Sequence, residues 1–175
     1  LSFRKTLLDT AGAIIIATDV NGTINLFNPE AVHKLGYSPA EILDKENPLL
    51  FHDKREIDRK REKLSEEYSI NVESDFEVLV TKARRGIHEE EQYNYVGKTG
   101  NKFPVSLTIT ALRDAKGAVS GYMGIAVDVS ERIKAENKLR RAEHLFLQLL
   151  HNYPDGIISI IDRNYRFVYT GGELH

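Results

Sequence analysis

Apolar residues gather in two short β-rich runs, Ala13 to Thr18 and Thr23 to Phe27, joined by Asp19-Val20-Asn21-Gly22. Asn and Gly there accept the positive φ of a tight turn, so the pattern predicts a hairpin. Asn28 followed by Pro29 reads as an N-cap and first helical residue, and Gly36 stops that helix after two turns. Ser38-Pro39-Ala40-Glu41 has the form of a capping box with proline at the first position, predicting a second short helix. From Glu56 to Tyr68, charges of both signs surround a thin stripe of Ile57, Leu64 and Tyr68, the pattern of a helix lying mostly in solvent. Ser74-Asp75-Phe76-Glu77 is another capping box, after which Phe76, Leu79, Val80 and Ala83 recur at helical spacing. Lys82, Arg84 and Arg85 fill the last turn and Gly86 lies beyond it. Then the period changes to two. Gln92 to Val96 alternates, Lys98-Thr99-Gly100-Asn101 turns, and Phe103, Val105, Leu107 and Ile109 take every second position. Asp114-Ala115-Lys116-Gly117 turns again into Ala118 to Val127. Two strands, a block of short helices and three strands in hairpin succession predict an α+β fold. A five-stranded antiparallel sheet with the short helices on one face buries these stripes most economically.

Ser130 is placed to cap a long helix running to about Asn152. Along it Ala135, Leu139, Ala142, Phe146, Leu149 and Tyr153 alternate steps of four and three, a heptad seam. Leu139, Ala142, Phe146 and Leu149 are therefore the expected contacts of a parallel homodimer; the alternative is a stripe packed back on its own sheet. The chain also repeats itself. Laying Leu7 to Asn21 over Leu150 to Asn164 gives identities at Leu7/Leu150, Ile14/Ile157, Ile15/Ile158, Asp19/Asp162 and Asn21/Asn164. This predicts an N-terminal helix over 1–10, one complete domain over 11–130, a connecting helix over 131–152 and a partial second hairpin over 153–175, the opening of a related domain.

The 175 residues, 41% hydrophobic and 29% charged, suit a globular chain that buries a real core. With 24 Lys and Arg against 26 Asp and Glu, the net charge of -2 leaves no electrostatic footprint for nucleic acid. The absence of cysteine excludes disulfides, thiolate metal sites, a cysteine nucleophile and a photoadduct-forming thiol. The longest apolar run, Ala11 to Ala17, is too short to span a membrane, and no signal-peptide pattern is present. A cytoplasmic segment without direct membrane contact is expected, and a first residue of Leu rather than Met reads as an excerpt of a longer protein. His33, His52, His88, His144, His151 and His175 show no i, i+3 or i+4 pairing, so no metal site is expected. No Ser-His-Asp, paired-carboxylate or phosphate-loop arrangement stands out either, and the segment is expected to be non-enzymatic.

Several motifs in this order resemble a PAS domain over about Leu7 to Arg132. They are Asn28-Pro29 opening the helical block, Gly97-Lys98-Thr99-Gly100, Phe103-Pro104-Val105-Ser106, and Asp128-Val129-Ser130-Glu131-Arg132. The last is similar to the family's Asp-x-Thr signal-transfer motif, with Ser in place of Thr, which nominates Asp128, Ser130, Glu131 and Arg132 for signal transfer. The resemblance implies a sensor module of a bacterial or archaeal signalling protein. Such modules are strung by helices ahead of a covalently linked output such as a histidine kinase or diguanylate cyclase. A sheet under short helices can enclose a small-molecule ligand. Ile14, Ile16, Phe76, Leu79, Val80, Tyr93, Tyr95, Leu107 and Ile125 are the candidate lining residues, although alternation alone leaves open which way Tyr93 and Tyr95 face. Haem-binding relatives take a histidine from the long helix over the pocket, and Phe76 to Arg85 has none. His52 is the remaining candidate, and Phe51-His52-Asp53 reads instead as a solvated loop histidine oriented by its neighbouring Asp. No cofactor is the first expectation; a haem or redox-flavin sensor and a ligand-free relay filled by Ile14, Ile16, Ile109 and Ile125 are the alternatives. Gly171-Gly172-Glu173-Leu174 imitates a cyclase signature, but it follows a sensory hairpin and not a cyclase domain.

Overall fold

The computed structural model describes residues 12–151 and 158–171. The helix expected over 1–10 and the Gly172-Glu173-Leu174 end lie outside the described residues. The chain divides into two compact units, residues 1–130 and 131–175.

In the first unit, β1 (Ile14–Thr18) and β2 (Ile24–Phe27) are followed by α1 (Pro29–Leu35), α2 (Pro39–Ile42) and a 3-10 turn (Pro48–Phe51). Then come α3 (Lys54–Tyr68), α4 (Asp75–Arg84), β3 (Glu90–Val96), β4 (Lys102–Arg113) and β5 (Val119–Asp128). The strands form one antiparallel sheet in the order β2-β1-β5-β4-β3. Three hairpins are local; the fourth pairing sets β1 beside β5, with Ile14 opposite Ala126 and Thr18 opposite Tyr122. Both sheet edges are partly covered by loop backbone. Ile24 of β2 exchanges hydrogen bonds with Asp44 and Glu46, and His52 forms a bridge with Tyr95 of β3.

Asn28 shows why the helical block starts where it does. Its Oδ1 accepts from Ala31 N at 3.0 Å, capping α1, and from Ile15 N at 2.9 Å, while its Nδ2 donates to Ala13 O at 3.0 Å. One buried side chain thus fastens α1 to β1. Gly36, at φ 78°, closes α1 in the left-handed conformation that its pattern required. The Ser74 hydroxyl accepts from Glu77 N at 3.3 Å, whereas the Glu77 carboxylate reaches Glu73 N rather than the cap residue itself. α3 begins at Lys54, two residues before the charge pattern indicated, because the Asp53 carboxylate accepts from Arg55 N and caps it. β3 likewise starts at Glu90 and not Gln92, since Glu90 and Glu91 are in register with Thr108 and Leu107. The core centres on Phe51, fully buried against Phe27, Tyr37 and Tyr95 with ring centroids 5.8, 5.7 and 6.4 Å away.

The second unit holds nearly all of α5 (Ser130–His151) and an antiparallel hairpin, β6 (Ile158–Ile161) with β7 (Phe167–Gly171). Its turn repeats that of the first hairpin. Asp162 Oδ1 accepts from Asn164 N at 2.7 Å and Arg166 N at 3.0 Å. Asp19 Oδ1 accepts in the same way from Asn21 N at 2.9 Å and Thr23 N at 2.8 Å. Tyr165, at φ 61°, occupies the left-handed position that Gly22 fills in the first copy. On α5, Leu139 and Phe146 are 63% and 42% exposed and Ala142 is exposed; the Leu149 side chain lies outside the described ones.

Candidate functional site

α4 lies across β4 with Leu79 and Val80 facing the sheet, a consequence of the apolar stripe that follows the Ser74 cap. Between helix and sheet is a pocket with about 30 Å³ of enclosed space, within about 370 Å³ counted out to its open mouth. Of the residues named from the sequence, Ile16, Phe76, Leu79, Val80, Tyr95 and Leu107 line it. Three others lie elsewhere. Ile14 is buried in the adjoining core, and Tyr93, also buried, lines clefts between β3 and the helices α3 and α4. Ile125 is a correction: it is 38% exposed, because β5 turns Tyr122, Gly124 and Ala126 inward and Ile125 and Val127 outward.

On the inner face of β5, a Cβ at Gly124 would make ordinary contact with Leu107 Cδ1 at 3.4 Å, whereas one at Gly121, on the opposite side of the strand, would collide with the carbonyl oxygen of Thr18. Tyr122 is anchored at its far end, its hydroxyl accepting from Arg84 Nε at 3.0 Å. No side chain lining the pocket carries a fixed charge.

His52 overturns the reading of a solvated loop histidine. It is only 8% exposed and lines the pocket, held between the 3-10 turn and α3 by its backbone bridge to Tyr95. Its ring stands edge-on to Tyr93 and Tyr95, with centroids 4.9 and 5.0 Å away. Both tyrosines therefore face inward. Burial, assisted by the charge of Lys60, lowers the His52 pKa to about 3, so the ring is neutral at physiological pH. Its Nδ1 is buried with no hydrogen-bond partner. Such a group costs about 1–3 kcal/mol when left unsatisfied. Asp53 does not orient the ring; its carboxylate caps α3 and pairs with Lys102.

Behind Tyr93, Glu91 is gripped by Lys60 and Lys82, each at 2.7 Å, and Lys60 Nζ lies 3.9 Å from the centre of the Tyr93 ring. Burial works to raise the Glu91 pKa, but hydrogen bonds from the two lysines outweigh it and leave the group ionised below its usual range. Burial also raises the Tyr93 and Tyr95 hydroxyls, so both remain protonated. The neighbouring cleft, about 320 Å³, sets Lys60, Lys63 and Lys82 against Glu67, Glu89 and Glu91. Equal opposite charges give it no preference for an anion or a cation.

The pocket does not fit a haem or a flavin. Its enclosed space holds a water molecule or two, and the His52 ring is packed between tyrosines instead of standing clear for an axial bond. Among the described residues no group of His, Asp and Glu could hold a metal ion, and no helix is long and apolar enough to cross a membrane.

At the end of β5 the Asp128 carboxylate joins two elements. Oδ2 accepts from Lys34 Nζ of α1 at 2.8 Å, and Oδ1 accepts from Ser130 N, the first residue of α5, at 2.9 Å. The cap of α5 is thus Asp128 and not Ser130, as the sequence had suggested, since a carboxylate at a helix start meets both its free amides and its dipole. Burial raises the Asp128 pKa less than Lys34 and Ser130 lower it, so the group titrates below the ordinary carboxylate value; Lys34 is raised by the same bond. Glu131 and Arg132 are exposed, with Glu131 bonded to Lys134 and Arg132 near Glu136. Lys34 had no signal in the sequence, because its partner lies 94 residues away.

Comparison with known proteins adds the following. Residues 11–131 match the sequence pattern of the family described as PAS domain. A nitrogen fixation regulatory protein of Klebsiella pneumoniae is 25% identical over 163 residues, 93% of this chain but 30% of its own length. The structure of an RNA-binding light-oxygen-voltage receptor superposes with a TM-score of 0.60 at 18% identity, over 81% of this chain and 36% of that one. A domain of a sensory box sensor histidine kinase/response regulator from Geobacter sulfurreducens gives 0.51 at 20% identity, over 71% and 90%.

Proposed function

The chain belongs to the PAS domain family, and from that premise we propose that this sensor domain is the coupling module of a larger, cytoplasmic signal-transduction protein. It passes the state of its pocket through α5 to a covalently linked output, a histidine kinase or diguanylate cyclase in a phosphorelay. The segment itself performs no catalysis in this reading, and β6 and β7 open a second domain of the same kind. The near balance of cations and anions gives no reason to add nucleic acid as a partner. The observation that carries the proposal is the sharing of Asp128 between Lys34 and the first amide of α5. A displacement of β1 at Ile16, in the pocket wall, reaches Asp128 along the β1–β5 ladder. It also reaches Asp128 through Asn28 and α1. A ligand-free relay is the second reading, favoured by the small enclosed volume.

The expected result concerns Lys34→Met. An ion pair of this exposure is worth up to about 1 kcal/mol, so amide exchange in the first turn of α5 should quicken about 5-fold. Sheet amides should keep their protection. Unchanged exchange at residues 130–133 in both Lys34→Met and Asp128→Asn would remove the coupling from the account.

Dimerisation through α5 is part of the same proposal, supported by the exposure of Leu139 and Phe146 on one heptad seam. Burying each large apolar side chain contributes roughly 1.5 to 3 kcal/mol, so Leu139→Asp with Phe146→Asp should yield monomers in sedimentation, with the circular dichroism of the sheet retained. A dimer of undiminished affinity would assign association to another surface.

A further inference from the structure

We propose that the pocket beneath α4 binds a small uncharged molecule through a single hydroxyl group, which hydrogen-bonds to His52 Nδ1 while the remainder lies against Phe76, Leu79 and Leu107. The proposal deepens the sensor reading, and rests on it, by naming the chemistry of the ligand. Three observations lead to it. His52 lines the pocket, and its Nδ1 is buried without a partner, while Tyr93 and Tyr95 hold the ring edge-on. A buried polar atom left unpaired is a standing preference for any occupant that pairs with it. A hydroxyl both donates and accepts, so it satisfies Nδ1 in either tautomer of the neutral ring. The other lining side chains are aliphatic, aromatic or hydroxylic, and none could neutralise an ion; a carboxylate or ammonium would enter stripped of water and unpaired. The small volume receives the hydroxyl, and the pocket opens to solvent on its other side, toward which the apolar body extends. Phe76, a partly exposed lining ring, touches Tyr122 edge-on with centroids 5.8 Å apart, and that contact gives a ring-shaped body a surface of matching character.

Phenol, fluorobenzene and benzoate test this, because they share a ring and differ in the group that would meet His52. Titrated into the full chain labelled at histidine nitrogens, phenol should saturate and move the His52 ring resonances. Fluorobenzene should bind at least about 10-fold more weakly, as expected when a buried acceptor or donor is left unmatched. Benzoate should not bind in the pocket. In His52→Phe the preference for phenol over fluorobenzene should vanish while the amide spectrum stays dispersed. Equal affinities for phenol and fluorobenzene in the unaltered chain overturn the proposal, as does binding of neither, and both comparisons hold even if the variant fails to fold. Phenol binding with its preference, but with no change in amide exchange at the start of α5, supports this site and removes the sensor coupling. Loss of phenol binding with the Lys34→Met effect intact does the reverse.

Discussion

Phe51→Ala should destabilise the domain by about 3–5 kcal/mol, a large part of the stability of a unit this size. The ring is fully buried and is the common contact of Phe27 at the end of β2, Tyr37 after α1 and Tyr95 on β3. These three neighbours are fixed by separate elements, so the space left by the ring cannot close by the movement of one of them, and the cost falls in the upper part of the range. Urea unfolding should show a lower midpoint with an unchanged slope. A loss under about 1 kcal/mol would mean that the aromatic cluster repacks, and that the 3-10 turn presenting His52 is not held by Phe51.

Acid should weaken the protein through His52 before Glu91 and Asp128, both held below the usual carboxylate range, take up protons. The folded-state pKa of about 3 lies below the unfolded value of 6.5, so between them the unfolded chain binds the extra proton. The stability of the neutral buried ring is complete above pH 6.5 and declines as pH falls, by about 1.4 kcal/mol for each unit below that value. Tyr93 and Tyr95 stay protonated through this window, so neither hydroxyl relieves the cost. His52→Phe removes this dependence. Its unfolding free energy between pH 6.5 and pH 4.5 should fall by about 2 kcal/mol less than that of the unaltered chain. Parallel curves would show that the ring protonates in place, with water reaching Nδ1.

Elements whose signals are local were legible in the sequence. The Asn28-Pro29 start, the Gly36 stop, the Ser74 cap and the alternation from Phe103 to Ile109 depend on neighbours within a few residues, and each recurs in the structure. Ile125 misled because, beyond Tyr122, the inward positions of β5 are the small Gly124 and Ala126 while the outward positions hold Ile125 and Val127. Hydrophobic alternation assumes the opposite. His52 was illegible for a different reason. Asp53 and the charged residues after it belong to the solvent face of α3, whereas His52 itself is drawn inward by a backbone bridge to Tyr95, 43 positions along the chain. Asp128 was found as a residue type, but its bond to Lys34 joins positions that only the completed sheet brings together.

The strand order carries a mechanical consequence. β1 enters the sheet at Ile14 opposite Ala126, and β5 leaves it at Asp128, so the chain comes in and goes out at the same end of one antiparallel ladder. Tension applied along the polypeptide therefore opens the β1–β5 pairing one rung at a time from that end, rather than loading all its hydrogen bonds together. The sheet yields first next to Asp128, where α5 begins.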